Sequence, residues 1–399
     1  MKVSEIEAAR VEAAGAQHDA LFLPAAGGRR QLDLGRDVHA CLGLVFDRID
    51  LDGAAAHLRR CVAHRRQCVL STPNVNYVAA SVRDAHFRGT VLRSDFSVVD
   101  GFPIVQAARW LGLGLPGRVS GSDLFLRLQA IERTPEQPPI KLFLLGGPPG
   151  IAARAAERVN AERGGFECVG HDEGGFGDLE SMSSPALLQR INDCGAEFVL
   201  VALGARKGQG WVDRNHAHVG AQVLSHLGAV INFAAHTVAR APRWMQRAGL
   251  EWVWRIMQEP ALWRRYWDDG RMLAHAVATQ LLPWSVRRAL GRVPRGAGQP
   301  ARFEMHDDSP SLRRIVLSGD WRDEAALRPL RHALAATLRG GRCVQFDLGA
   351  APAVGSALLG LLAIVDAWQV SPRVLRADSV ADPLLRRDLQ AYGMQHLLD

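Results

Sequence analysis

The chain has 399 residues, 48% apolar and 22% charged. That composition excludes a disordered or fibrous protein and leaves room for two or three globular domains of roughly 150 residues each. A formal charge of +7 and a pI near 9.5 suit an anionic partner; nucleic acid, lipid head groups and phosphorylated substrates all qualify.

Residues 1–39 read as an N-terminal extension, with a Gly/Arg-containing loop at 25–30. The polar start (Glu5, Glu7, Arg10, Glu12) is unlike a signal peptide. No run of about 18 apolar residues occurs anywhere, so no transmembrane helix is expected. Six cysteines (Cys41, Cys61, Cys68, Cys168, Cys194, Cys343) include no CxxC pair. Cys61 and Cys68 lack a second ligand pair downstream, so the spacing predicts free thiols in a reducing compartment and no metal site.

From 40 to 239, short apolar runs alternate with helical stretches. Strands are predicted at 68–72, 96–100, 140–145 and 198–203, with further ones at Val223-Leu224 and Val230-Ile231, and a helix over 75–90. Strand, glycine, helix is the rhythm of a parallel α/β sheet covered on both faces. Residues 240–295 break it: eleven arginines stand against four acidic residues, with six of the ten tryptophans. This stretch reads as a helical appendage. A Gly/Pro-rich linker at 296–309 comes next. A second α/β domain is predicted over 310–399, with strands at 314–319, 343–348 and 374–375 and helices over 322–339 and 356–369.

Chemistry-bearing segments fall at strand ends, where open parallel sheets bind ligands. Ser71-Thr72-Pro73-Asn74 offers groups for phosphate or sugar hydroxyls, or a helix N-cap. Asp100-Gly101 places a carboxylate in an exposed turn, either a proton acceptor or a plain turn. Gly146-Gly147-Pro148-Pro149-Gly150 could turn a helix N-terminus toward a diphosphate, or be a tight turn; it is neither a P-loop nor a GxGxxG fingerprint. Gly204-Ala205-Arg206-Lys207-Gly208-Gln209 could neutralise a diphosphate or be a solvated loop. The Arg/Trp stretch suits a membrane interface, a cover for the sheet, or stacked nucleic-acid bases. No nucleic-acid motif supports the last, and no nucleic-acid partner is expected.

Taken together, residues 40–270 resemble the WecG/TagA/CpsF family of glycosyltransferases. Asp100-Gly101-Phe102-Pro103-Ile104-Val105 is similar to its DGxGVV element, Arg118 to Leu124 to its RVxGxDL, Thr72-Pro73-Asn74 to its TxN, and Phe143 to Gly147 to its FLLGG. Arg240-Ala241-Pro242-Arg243-Trp244-Met245-Gln246, then Gly249-Leu250-Glu251-Trp252, Arg255 and Glu259-Pro260, are similar to its RAPxWMQxxGLEWxxR and EP. The resemblance implies a Rossmann-like fold and an inverting, metal-independent transfer of a sugar from a UDP-sugar to a polyprenyl-diphosphate-linked saccharide. The pathway would be synthesis of exopolysaccharide, capsule or cell-wall glycan. The protein would sit in the cytoplasm, peripheral on the inner face of the membrane. Asp100 would be the base; Thr72, Asn74, Gly101, Gly146, Gly147, Lys207, Gln209 and Asn232 would bind substrate, with Arg240, Arg255, Arg264 and Arg265 on the diphosphates or lipid surface. No cofactor is implied.

The sequence departs from the family at three places. In the GxPKQExxW loop, Arg206 replaces the proline, Gly208 stands at the glutamine and Gln209 comes one place late. In GxxFDFxAG, Asn232 stands at the aspartate and His236 at the final glycine. Leu262 replaces the arginine after EP, although Arg264 and Arg265 lie just beyond. An inactive homologue serving as a scaffold is the alternative reading. Residues 310–399 resemble a STAS domain through Val344 to Leu348 and Val354 to Leu362; Ser356 falls on the position phosphorylated in regulatory members, with Gly355 in place of the preceding aspartate. That resemblance implies a protein partner.

Overall fold

The computed structural model describes residues 21–24, 31–174, 177–228, 230–235, 241–242, 244–245, 248–290, 299–369, 371–376, 380 and 382–398. Two compact units divide the chain at Val45/Phe46 and Leu281/Leu282. One is the continuous stretch 46–281. The other combines residues up to Val45 with those from Leu282 onward. The second break falls inside the stretch expected to form one appendage.

The N-terminal strands are β1 (Phe22–Pro24) and β2 (Gln31–Asp33), an antiparallel pair, then β3 (Val38–Cys41) and β4 (Leu44–Asp47). In the central unit, α1 (Leu51–Ala63) leads into β5 (Cys68–Ser71). Then come α2 (Val75–Arg83), α3 (Ala85–Leu92) and β6 (Phe96–Ser97). The single helix predicted over 75–90 is two, because Asp84 adopts an extended conformation and its carboxylate caps the Phe87 N–H. Next are α4 (Phe102–Leu111), α5 (Gly121–Gln129), β7 (Ile140–Gly146), α6 (Ile151–Glu162) and β8 (Phe166–Asp172). The unit continues with α7 (Pro185–Asp193), β9 (Phe198–Ala202), α8 (Ala205–Asn215) and β10 (Val223–His226). It ends with α9 (Val230–Ala234), α10 (Glu251–Gln258) and α11 (Trp263–Ala276). The strand expected at Val230-Ile231 is therefore the start of a helix; the two side chains are buried from a helical face rather than a pleat.

The six strands β5 to β10 form one sheet in the order β6-β5-β10-β9-β7-β8, and every neighbouring pair is parallel. The central strand β9, Phe-Val-Leu-Val-Ala, is buried at all five positions, as a strand covered on both faces must be. One face packs under α1, α5 and α6, with Phe125 and Phe166 stacked at 5.1 Å and Phe198 edge-on to Phe166 at 5.6 Å. The other packs under α7 and α8, where buried Trp211 donates its indole N–H to the Met182 carbonyl at 2.7 Å. Because all six strands run the same way, every carboxyl end comes to one edge.

In the other unit, α12 (Leu282–Ala289) precedes β11 (Arg302–Ser309), β12 (Leu312–Trp321), α13 (Leu327–Arg339), β13 (Cys343–Val354), α14 (Ser356–Gln369) and α15 (Pro383–Ala391). β11 and β12 are antiparallel, β12 and β13 parallel, and Leu375 bridges Phe346 on the far side. The expected linker at 296–309 thus contains strand β11, whose mostly exposed, charged sequence hides its pairing role. α14 is buried at every position from Ser356 to Asp366 and is apolar all round, as a helix covered on all sides should be. β3 covers part of it: a Cβ on Gly360 would come within 3.1 Å of the Val38 carbonyl oxygen.

Candidate active site

At the carboxyl edge of the sheet lies a cleft of about 1040 Å³. Its floor is set by the residues at the strand ends: Thr72 after β5, Asp100 after β6, Leu203 and Gly204 after β9, and His226 closing β10. α10 and α11 close its far side.

Asp100 is held by its backbone. Its N–H donates to the Pro73 carbonyl at 3.0 Å, joining the two strand-end loops. The carboxyl is only partly exposed, and burial pushes its pKa up to about 6; Arg118 and the Gly121 N–H pull the other way, while Glu251 and Asp123 add to the rise. A carboxylate near 6 inside a cleft can take a proton at neutral pH and release it again.

Arg118 sits between acids. It donates to Asp123 at 3.0 Å and, closely, to Glu251 at the start of α10. Ser120 caps α5, accepting from the Asp123 N–H at 3.0 Å and donating to that carboxylate at 2.6 Å. Arg118 is thereby fixed from both ends beside Asp100.

Asn74 takes the helix N-cap reading and also stands at the cleft. It caps α2 by accepting from the Tyr77 N–H at 3.3 Å. Next to it, Asn76 donates to buried Asp269 on α11 at 3.2 Å, joining the helical wall to the sheet. His226 accepts from the Tyr77 hydroxyl at Nδ1 (2.6 Å) and donates from Nε2 to the Leu203 carbonyl (2.6 Å). Burial lowers its pKa to about 4, so it is a neutral spacer.

Of the residues expected to bind substrate, Thr72, Asn74, Gly101, Asn232, Arg255 and Arg265 line the cleft with Asp100. Gly146, Gly147, Lys207, Gln209 and Arg264 are not in its lining. Gly146 has φ +98° and passes so close to β9 that a Cβ would lie 2.8 Å from the Ala202 oxygen, the tight-turn reading of that segment. The N–H of Gly150, before α6, donates to the Glu173 carboxylate at 2.6 Å. Lys207 reaches the Gly177 carbonyl at 2.8 Å. Gln209 is wholly buried: it accepts from Ser71 at 2.9 Å and donates to Thr90 O at 3.0 Å and Ser94 Oγ at 3.2 Å, a closed network below the cleft. The 204–209 segment is thus the first part of a helix rather than a loop. Arg240 lies outside the described residues. In the other unit, the Ser356 hydroxyl is buried and bonded to His39 Nδ1 at 2.9 Å.

Sequence reasoning missed Arg118, Ser120, His226, Glu251 and Asp269 as lining groups. Arg118, Ser120 and Glu251 lie within the family-like motifs, which was signal enough; the other two had none.

A sequence model of the glycosyl transferase WecG/TagA/CpsF family matches residues 39–285. The chain is 25% identical over 198 residues to an N-acetylglucosaminyldiphosphoundecaprenol N-acetyl-beta-D-mannosaminyltransferase of Bacillus subtilis, covering 49% of this chain and 74% of that one. To the protein of the same name from Bacillus spizizenii it is 26% identical over 198 residues, covering 49% and 73%.

Proposed function

The chain belongs to the glycosyl transferase WecG/TagA/CpsF family and is a glycosyltransferase; from that premise we propose that it moves a sugar from a UDP-sugar to a polyprenyl-diphosphate-linked saccharide at a membrane surface. The observation that carries this reading is Asp100, a carboxyl with a pKa of about 6 in a cleft whose wall carries Arg255, Arg265 and Arg271 among aromatic rings. The acceptor hydroxyl gives its proton to Asp100 as its oxygen attacks the anomeric carbon. The bond from that carbon to the diphosphate breaks, UDP leaves with the electron pair, and the configuration inverts. Arg255 and Arg265 meet the negative charge gathering on the diphosphate. Thr72 and Asn74 hold sugar hydroxyls, and Asn232 offers an amide where the family pattern has a carboxylate.

The relatives are named for transfer to N-acetylglucosaminyldiphosphoundecaprenol, and a lipid diphosphate of that kind is the acceptor we assign here. Among the described residues no helix is long and apolar enough to cross a membrane. Trp244, Trp252, Met257, Trp263 and Trp267 are nonetheless exposed on one stretch of chain with Arg264 and Arg265, and Arg255 there is partly exposed. Such a surface seats in the head-group region. The order of elements from β11 to α15 supports reading the second unit as a STAS-like protein-binding module, with the buried Ser356 poorly placed for a kinase.

The test is UDP release across a panel of UDP-sugars, with and without a short-chain N-acetylglucosaminyl diphospholipid. Acceptor-dependent release with one donor is the predicted result. Tight UDP-sugar binding without turnover for any donor would favour the scaffold.

A further inference from the structure

Thr72 stands at one end of β5; Cys68 begins the other. There the fold gathers three metal-ligating side chains that the transferase reading does not use. His57 and Cys61 are four residues apart on α1, hence on one face of the helix. Cys68 meets them from the sheet. His57 Nε2 is 3.6 Å from Cys61 Sγ and 4.0 Å from Cys68 Sγ, and all three atoms lie within 4.8 Å of one another.

We propose that His57, Cys61 and Cys68 bind a thiophilic divalent cation, zinc in the first instance. A tetrahedral ion with bonds of about 2.3 Å to sulfur and about 2.0–2.1 Å to nitrogen requires N–S separations of about 3.6 Å and an S–S separation of about 3.8 Å. The two N–S separations, 3.6 and 4.0 Å, stand near the first of those values, and the two sulfurs lie within 4.8 Å of each other, so the ion needs side-chain adjustment of no more than about 1 Å. The imidazole is oriented in advance by stacking on Phe96, with centroids 4.4 Å apart and planes at 27°. Both thiols are buried, whereas His57 is only partly so. Water can therefore fill the fourth position. Arg66 and Asp95 are the charged groups that act on the thiols from outside the triad. Hard oxygen-seeking ions are disfavoured by two sulfur ligands. Cysteine spacing argued against a metal because the third ligand is a histidine that only the α1–β5 packing brings in. Bound there, the ion staples the last turns of α1 to the head of β5. This role is independent of the transferase reading.

The experiment uses the full chain, purified under reducing conditions, stripped by chelator and titrated with Co²⁺ alone. One equivalent is predicted to produce thiolate-to-cobalt charge transfer in the near ultraviolet with the intense visible bands of a tetrahedral ion, and zinc should abolish both. Cys61→Ser and Cys68→Ser should lose the charge-transfer signal. His57→Gln should weaken cobalt binding at least about 10-fold. Cys343→Ser should leave the spectrum unchanged. The wild-type titration decides even if a variant misfolds, which far-ultraviolet circular dichroism would reveal. No charge-transfer band, with all six thiols free to react after denaturation, would overturn the proposal. So would a Cys61–Cys68 disulfide found by mass spectrometry in the protein as purified.

Discussion

Asp100 titrates where it can matter. Its carboxyl, pushed up to about 6 chiefly by burial, must be ionised to accept a proton. Turnover should therefore rise with pH through about 6 and level off above, as a pH profile of kcat/KM will show. Arg118 holds the carboxyl below where burial alone would put it. Arg118→Met should shift that limb to higher pH, so the loss is larger at pH 6.5 than at pH 8.5. A uniform loss at both would mean Arg118 does not act through Asp100. The sign for stability is opposite. A carboxyl whose folded pKa lies above its unfolded value binds its proton more tightly when folded, so its contribution to stability falls as pH rises through about 4 to 6. Asp100→Asn should then have a Tm at pH 8 no lower than wild type while losing about 10²–10⁴-fold in turnover. A large drop in Tm would recast Asp100 as structural.

At the scale of elements, the parallel sheet was legible because most of its strands are apolar runs ending in glycine or small polar residues; the polar edge strand β8 (FECVGHD) was not predicted. 140–145 and 198–203 are the clearest, and β7 and β9 occupy them. Strand-end logic also located Thr72, Asn74, Asp100 and Gly101 in one cleft. What stayed hidden depends on contacts distant in sequence. Val230-Ile231 looks like a strand because two buried β-branched residues fit either periodicity. β11 is half charged and mostly exposed, and nothing local announces that β12 will pair with it. Gln209 comes just after an Arg-Lys pair and reads as part of a solvated ligand loop, yet α8 turns it into the core. Removing it takes one hydrogen-bond partner each from buried Ser71, Ser94 and the Thr90 carbonyl, although Ser71 and Ser94 keep their mutual bond at 2.6 Å. Gln209→Ala should lower unfolding free energy by about 1–3 kcal/mol in chemical denaturation; an unchanged midpoint would show that the network contributes nothing.

For the whole molecule, the substrate assigned here is amphiphilic, and the exposed tryptophans of α10 and α11 give it a surface to meet. Trp263→Ala with Trp267→Ala should weaken binding to vesicles containing anionic lipid by at least about 10-fold, because interfacial aromatics and basic side chains act together. Equal sedimentation of both proteins with vesicles would place membrane contact elsewhere. Everything else rests on transfer itself. The most direct measurement is acceptor-dependent sugar transfer to a diphospholipid, monitored for wild type and Asp100→Asn side by side at pH 8, with folding and UDP-sugar binding checked in both. The account predicts transfer by the wild type and its near-complete loss in a variant that still folds and binds donor. Equal transfer by the two proteins, or none by the wild type with any UDP-sugar, would contradict it.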